Sequence, residues 1–408
     1  MPATMAGSRG GVQALSGGEG WRTFAERLLT NEVCFDELAT RLDGVTKPAS
    51  MTLVVNNTCN LKCRHCYLKV PSLDGPALTE EEWGKVVRSA AEFGPDLVCF
   101  SGKELFLGNQ GPRLLSRARR DRDEFGGGRV GLITNGTLVG RHRDAILDAD
   151  PSYFDISLDG MEADHDAVRG AGAFAAAWPN ILWAAEVFGT RFFVNLTLQR
   201  RNLPRALETI QFLAANGIRN IEVGFYKPLP YTDPSLALSD DEVRGFLDRL
   251  GDLRVLRAAE ETRILFDFDV SVPAPLEAFL ASRWFEPAAV CEDVNGELFV
   301  DHRLNDKVVL QVRFAPYPTG VWRSVRITPE GGYLAAEDTI DTTQYSRSWL
   351  GNVRDTAFDV GKLHERARRS QRFHDLLRDY ERSVLPRLVS AVRNNSVTFP
   401  GFPKVHAA

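Results

Sequence analysis

MTLVVN at 51–56, followed at once by NTCNLKCRHC at 57–66, decides the fold. The first six residues are a β-branched run ending in a turn former, the pattern of a buried strand. The next ten place Cys59, Cys63 and Cys66 in one short excursion beyond that strand. Three soft thiolates at C-x3-C-x2-C spacing are close enough to converge on one metal centre. A structural zinc ion wants four closed ligands. His65 adjoins Cys66, and the two side chains can hardly reach one tetrahedral ion together. On a four-iron cluster, three thiolates leave one iron without a protein ligand, and a substrate or cofactor can bind there.

Outward from this stretch, strands and helices alternate. LTEEEWGKVVRSAAEF follows, with Thr79 as a helix N-cap, Glu80 to Glu82 in the first turn, and Trp83, Val86, Val87 and Ala90 at helical spacing. Further strands read at 96–101, 129–134, 153–158, 191–198 and 220–226, with helical patterns at 112–120, 141–148, 175–188, 204–215 and 239–254. Each strand needs a helix to bring the chain back in the same direction, so the class is α/β with parallel βαβ crossovers. A partial (β/α)6 TIM-like barrel over 48–254 is expected, with its chemistry beyond the C-terminal strand ends. Residues 1–47 read as a polar tail and a helical segment. Residues 255–408 read as an α+β extension with a turn at Pro329-Glu330-Gly331-Gly332 and a long helix over about 359–394, carrying Leu363, Phe373, Leu376, Leu377 and Tyr380 on its apolar face.

Composition narrows the function. The 408 residues carry 49 Lys+Arg against 54 Asp+Glu, a net charge of −5, so bulk attraction to nucleic acid or to an anionic membrane is not encoded. No apolar run suits a membrane span, and the first twenty residues lack the apolar stretch of a secretory signal. Six cysteines are too few for a disulfide framework and point to a reducing cytoplasm.

The three-cysteine loop resembles that of the radical S-adenosylmethionine (SAM) superfamily, whose hallmark is C-x3-C-x-aromatic-C after the first strand of a partial barrel. The resemblance implies that Cys59, Cys63 and Cys66 ligate one [4Fe–4S] cluster, with His65 against the adenine of SAM. It implies that SAM chelates the open iron and is cleaved by one-electron reduction. The resulting deoxyadenosyl radical would then take a hydrogen atom from substrate. Phe100-Ser101-Gly102-Lys103-Glu104-Leu105 stands where the family has Gly-Gly-Glu-Pro, with Glu104 expected on the SAM ammonium and Gly102 and Lys103 beside it. Thr134-Asn135-Gly136-Thr137 ends the third strand, as in the family, with Asn135 at the cofactor. Ser157-Leu158-Asp159-Gly160 and Arg169 resemble the fourth-strand region of the peptide- and sugar-modifying branch. Ser157 and Asp159 would face the ribose, and Arg169 the methionine carboxylate. Asn195 and Thr197 share one face of the fifth strand.

Members of this branch often add a cysteine-rich SPASM or twitch module holding auxiliary clusters. ITPEGGYLAAEDTIDTTQYSRSWLGNVRD resembles its framework, yet residues 255–408 contain one cysteine, Cys291, and one thiolate cannot hold a cluster. The extension thus reads as a degenerate module. Redox-neutral outcomes gain weight: epimerisation, rearrangement or fragmentation. Cys291 is the candidate hydrogen donor for epimerisation, since Cys34 lies in the N-terminal segment and Cys99 in an apolar strand. Only about 50 residues precede the first strand, short for a leader-binding domain, which favours a small-molecule substrate in natural-product metabolism over a ribosomally made peptide. Tyr226, Lys227, Asp267 and Asp269 are candidate substrate contacts. The implied partner is an external one-electron reductant of the flavodoxin or ferredoxin type. The rival from another class is a non-catalytic metal-binding or interaction protein that keeps the motif for structure.

Overall fold

The computed structural model describes residues 20–30, 32–33, 35–44, 46–66, 76–126, 128–228, 232–269, 273–293, 297–316, 324–335 and 349–393. The polar tail and Cys34 lie outside the described residues. In chain order the strands are β1 (Ser50–Val54), β2 (Leu97–Ser101), β3 (Arg129–Thr134), β4 (Tyr153–Ser157), β5 (Phe192–Leu198), β6 (Asn220–Phe225), β7 (Thr262–Asp269), β8 (Cys291–Glu292), β9 (Leu298–Arg303), β10 (Val308–Ala315), β11 (Ser324–Ile327), β12 (Gly332–Ala335) and β13 (Trp349–Asn352). They form one sheet in the order β13-β12-β11-β1-β2-β3-β4-β5-β6-β7-β10-β9-β8. Strands β1 to β7 pair in parallel, β11 joins β1 and β10 joins β7 in the same sense, and antiparallel strands finish both ends.

Helices return the chain between these strands, as the partial barrel requires. Thr79 starts Glu80–Phe93 with a reciprocal capping box to Glu82, and Gly94 ends it at φ 68°. Alternation along β5 separates two faces: Phe192, Val194, Leu196 and Leu198 are buried against the helices, while Phe193, Asn195 and Thr197 look into the concave side. Paired residues point the same way, so Ser157, Asn195, Glu222 and Leu265 form one concave row, and Cys99 and Tyr153 lie below it through Gly131.

The sheet crosses the boundary drawn at 254: β7 pairs with β6 and continues the parallel run, so the extension adds strands to both edges of one sheet. The hairpin turn is where the sequence puts it, between β11 and β12, with Gly331 at φ 84°. The long C-terminal helix is three helices, Val360–Arg368, Gln371–Ser383 and Leu385–Arg393. The Ser370 hydroxyl donates back to the carbonyl of Ala367 at the first break. At the second, Pro386 has no N–H to give the carbonyl of Arg382, so the ladder is interrupted at Val384. Leu363, Leu377 and Tyr380 are buried, and the side chains of Phe373 and Leu376 lie outside the described residues. Among the described residues, no helix is long and apolar enough to cross a membrane.

Candidate metal centre and cofactor site

The cysteine loop leaves β1 and is tied to the loop after β2. The Lys103 N–H donates to the Asn56 carbonyl at 3.3 Å, the Glu104 N–H to the Thr58 carbonyl at 3.0 Å, and Asn56 Nδ2 to the Glu104 carbonyl at 2.8 Å. A Cβ at Gly102 would stand 2.8 Å from Asn56 Oδ1, which is why a glycine sits there. Arg64 anchors the loop's far side: its N–H donates to the Val168 carbonyl at 2.9 Å, and its side chain pairs with Asp233. On the near side Asn57 donates to Glu330, in the turn between β11 and β12.

The three thiols lie within electrostatic reach of one another. Burial pushes Cys63 up to about 11, Arg169 opposes it, and charge on Cys66 and Cys59 pushes it up again. Cys59 is raised chiefly by burial, against hydrogen bonds from the Leu61 N–H at 3.3 Å and from Asn135 Nδ2 at 3.7 Å. Among the described residues no three His, Cys, Asp or Glu side chains are spaced for a single ion. Three soft donors set wider than one ion, with an arginine and N–H groups turned to the sulfurs, fit an iron–sulfur cluster better than zinc.

Glu104 already has partners within the protein that the sequence does not show. Oε1 accepts from the Phe106 N–H at 3.0 Å and Thr134 Oγ1 at 2.7 Å, and Oε2 from the Asn135 N–H at 2.9 Å, which leaves a lone pair of Oε2 for a further donor. It is 1% exposed, and burial raises its pKa against these three bonds. Glu104 clasps the ends of β2 and β3 together. Leu105, where the family has proline, is buried in the core. Glu104→Gln puts an NH2 against a donor and should cost about 1–3 kcal/mol of stability, measured by urea unfolding. An unchanged midpoint would contradict the clasp.

Asp159 differs from expectation. It is 0% exposed, and its Oδ2 takes Arg169 Nε at 2.6 Å, with His65 Nε2 at 3.5 Å, while Oδ1 accepts the Thr197 N–H at 3.2 Å. Burial works to raise the Asp159 carboxyl, but Arg169, His65 and His165 outweigh it and hold it at about 2. Engaged in this way, Asp159 is the counterion that orients Arg169 rather than a ribose contact. Arg169 uses Nε alone; Nη1 and Nη2 have no hydrogen-bond partner among the described residues. That edge can take a carboxylate bidentately. His165, lowered to about 4 by burial and then by Arg169, is neutral near pH 7, where it accepts the Asp159 N–H at 3.1 Å, and charged only in the acid range where Asp159 titrates.

Asn135 holds its own turn through Thr137 and reaches Asn60 at 3.0 Å as well as Cys59. Ser157 and Asn195 stand side by side on the concave face, and Lys103 is half-buried at the rim. Cys291 is not brought to the site. It is exposed on β8, the outermost strand, three strands beyond β7. Position in the chain suggested a pocket wall, but β10 and β9 intervene. Tyr226 bonds Thr232 and the Asp233 carbonyl instead of facing a substrate. Lys227 is half-buried and Asp267 exposed; the Asp269 side chain lies outside the described residues. Sequence reading missed Arg64 with Asp233, Asn57 with Glu330, and Thr134 as a Glu104 partner, because each joins segments far apart in the chain. Only the position of Arg64 inside the cysteine loop could have marked it.

The radical SAM superfamily matches this sequence over residues 53–225. The chain is 32% identical over 172 residues to the Fe-coproporphyrin III synthase of Methanosarcina barkeri, covering 41% of this chain and 42% of that protein. It is 30% identical over 116 residues to a probable GTP 3',8-cyclase of Methanocella arvoryzae, covering 28% and 36%. It thus spans about two fifths of the length of these curated relatives. Streptococcus suis SuiB has a similar fold, with a TM-score of 0.58 at 14% identity over 84% of this chain and 71% of that one. SuiB has also been solved with S-adenosylmethionine and with its precursor peptide SuiA.

Proposed function

Residues 53–225 of this chain belong to the radical SAM superfamily, and from that premise we propose a cytoplasmic enzyme of specialised metabolism that carries out a redox-neutral step on a small molecule. The observation that carries the reading is the cysteine loop facing Arg169, whose Nη edge is held open by Asp159. Cys59, Cys63 and Cys66 would hold the [4Fe–4S] cluster. Arg169 would take the methionine carboxylate of SAM, while His65, Asn135, Ser157 and Asn195 line the remaining contact surface. Together the cluster and SAM supply reductive cleavage of SAM and abstraction of a substrate hydrogen atom. An external one-electron reductant of the flavodoxin or ferredoxin type would feed the cluster.

The names of the relatives support a small molecule, since the two described above are named for a porphyrin and a nucleotide. SuiB, seen with a peptide, shares only the fold at 14% identity. With Cys291 on the far edge strand, an epimerisation quenched by that thiol loses its support, and rearrangement or fragmentation moves ahead. Cys291→Ala should leave both 5′-deoxyadenosine formation and the product unchanged; loss of either would return that thiol to the mechanism. For the substrate class, 5′-deoxyadenosine formation should be stimulated by the small-molecule fraction of a host extract and not by its peptide fraction. The reverse pattern would overturn the small-molecule reading.

A further inference from the structure

Below the row of Ser157 and Asn195, the concave face carries a second cluster. Tyr153 Oη lies 3.1 Å from Asp155 Oδ2 and 3.1 Å from Glu222 Oε2, and Asn195 Nδ2 lies 3.4 Å from the same Asp155 oxygen. Asp155 is 2% exposed, and its other oxygen, Oδ1, is buried without a hydrogen-bond partner among the described residues. Tyr153, Asn195 and Glu222 keep partial exposure, so the cluster is reached from the concave side. These residues sit on three adjacent strands, and among the described residues none of them hydrogen-bonds the cysteine loop.

A phenol has one proton and donates one hydrogen bond. Tyr153 contacts two carboxyl groups at hydrogen-bonding distance, so its second contact is a bond only where that carboxyl carries a proton itself. Burial, then the charge of Glu222, pushes Asp155 well above the carboxylate range, against hydrogen bonds from Tyr153 and Asn195 and the charge of Arg169. Burial also raises Glu222, opposed by Arg313 and reinforced by Glu297. Cys99 on β2 lies in the row of Tyr153 through Gly131, within reach of the charges of Asp155 and Glu222, and Arg326 continues that row through Thr52. Two acids that share one phenol oxygen at 3.1 Å favour keeping a proton between them, as like charges in one site do. The orphaned Oδ1 still needs a donor, and the pair has room for one more positive charge.

We propose that Tyr153, Asp155 and Glu222 form a receptor for a primary amino group of the substrate, holding one proton until that group arrives. When the substrate enters as an ammonium, the pair releases one proton to solvent; when it enters as a neutral amine, the held proton moves to the amine nitrogen. In both cases the product is an ammonium on two carboxylates, with N–H donors for Asp155 Oδ1 and Glu222. A hydroxyl supplies one donor and no charge, and so leaves the pair protonated. The inference rests on the reading that the substrate occupies the concave face.

Infrared spectra of the anaerobically reconstituted holoenzyme near pH 7 test it. Wild type should show a protonated-carboxyl C=O band that shifts in deuterated water, and Asp155→Asn and Glu222→Gln should each lose one such oscillator. Methylammonium should remove the band from wild type, and tetramethylammonium at the same ionic strength, which has no N–H, should not. No difference between wild type and either folded variant would overturn the proton count. A band that methylammonium leaves intact at the highest concentration the holoenzyme tolerates would overturn the amine class. Should the variants fail to fold, the two ammonium titrations of wild type decide. SAM cleavage measured on the same sample tells a failure of this inference from a failure of the radical SAM reading.

Discussion

Cys63→Ala is expected to abolish both iron retention and SAM cleavage while leaving the fold intact. The thiol is buried, and alanine fits its space, so far-ultraviolet circular dichroism should not change. Two thiolates, Cys59 and Cys66, cannot keep a four-iron cluster in place. The same loss is expected for Cys59→Ala and Cys66→Ala, whereas Cys99→Ala and Cys291→Ala should keep their iron. A Cys63→Ala protein that still reconstitutes with about four irons per chain would show that the loop is not the ligand set.

Arg169→Ala carries the second large effect, on stability and on SAM affinity together. It leaves Asp159, at 0% exposure, as a buried carboxylate without its principal cation. Breaking a buried pair in this way costs about 3–5 kcal/mol. The pH dependence follows from the sign of the shift. Asp159 is held at about 2 in the folded protein, below its ordinary value, so it binds a proton more weakly folded than unfolded. Its contribution, about 2–3 kcal/mol, is present above about pH 4 and lost as the pH falls through about 2. The gap between wild type and Arg169→Ala in urea unfolding should therefore be widest near neutrality and close in acid. A gap that is constant with pH would mean Arg169 acts by packing alone. SAM binding should weaken in the variant even at neutral pH, where a merely structural role with the fold intact would leave it unchanged.

Strand positions were legible because periodicity in a parallel sheet is local. RVGLIT at 129–134 is β3 to the residue, and the other barrel strands differ by one or two at their ends. β7 was not legible: the helix Asp240–Arg249 returns the chain to it, but the barrel was closed at 254, and only pairing with β6 makes TRILFDFD a further parallel strand. The C-terminal helix was overextended because its apolar spacing continues through Ser370 and Val384, where the chain breaks. At the site, the cysteines could be read because their chemistry lies in spacing along the chain. The roles of Glu104 and Asp159 could not be read. A carboxylate beside a cofactor motif looks the same in sequence whether it meets a ligand or the protein's own donors, and here Thr134, Asn135 and Phe106 take the first, and Arg169 the second. Tyr153, Asp155 and Glu222 were equally hidden, since β4 and β6 meet only through β5.

The most direct measurement is an anaerobic incubation of the reconstituted protein with SAM and a strong one-electron reductant, followed by chromatography for 5′-deoxyadenosine and methionine. Wild type should form both in equal amounts, with about four irons per chain and none of the activity in Cys59→Ala, Cys63→Ala or Cys66→Ala. A protein that holds zinc instead of iron, or an iron-loaded protein that leaves SAM intact under these conditions, would contradict the account.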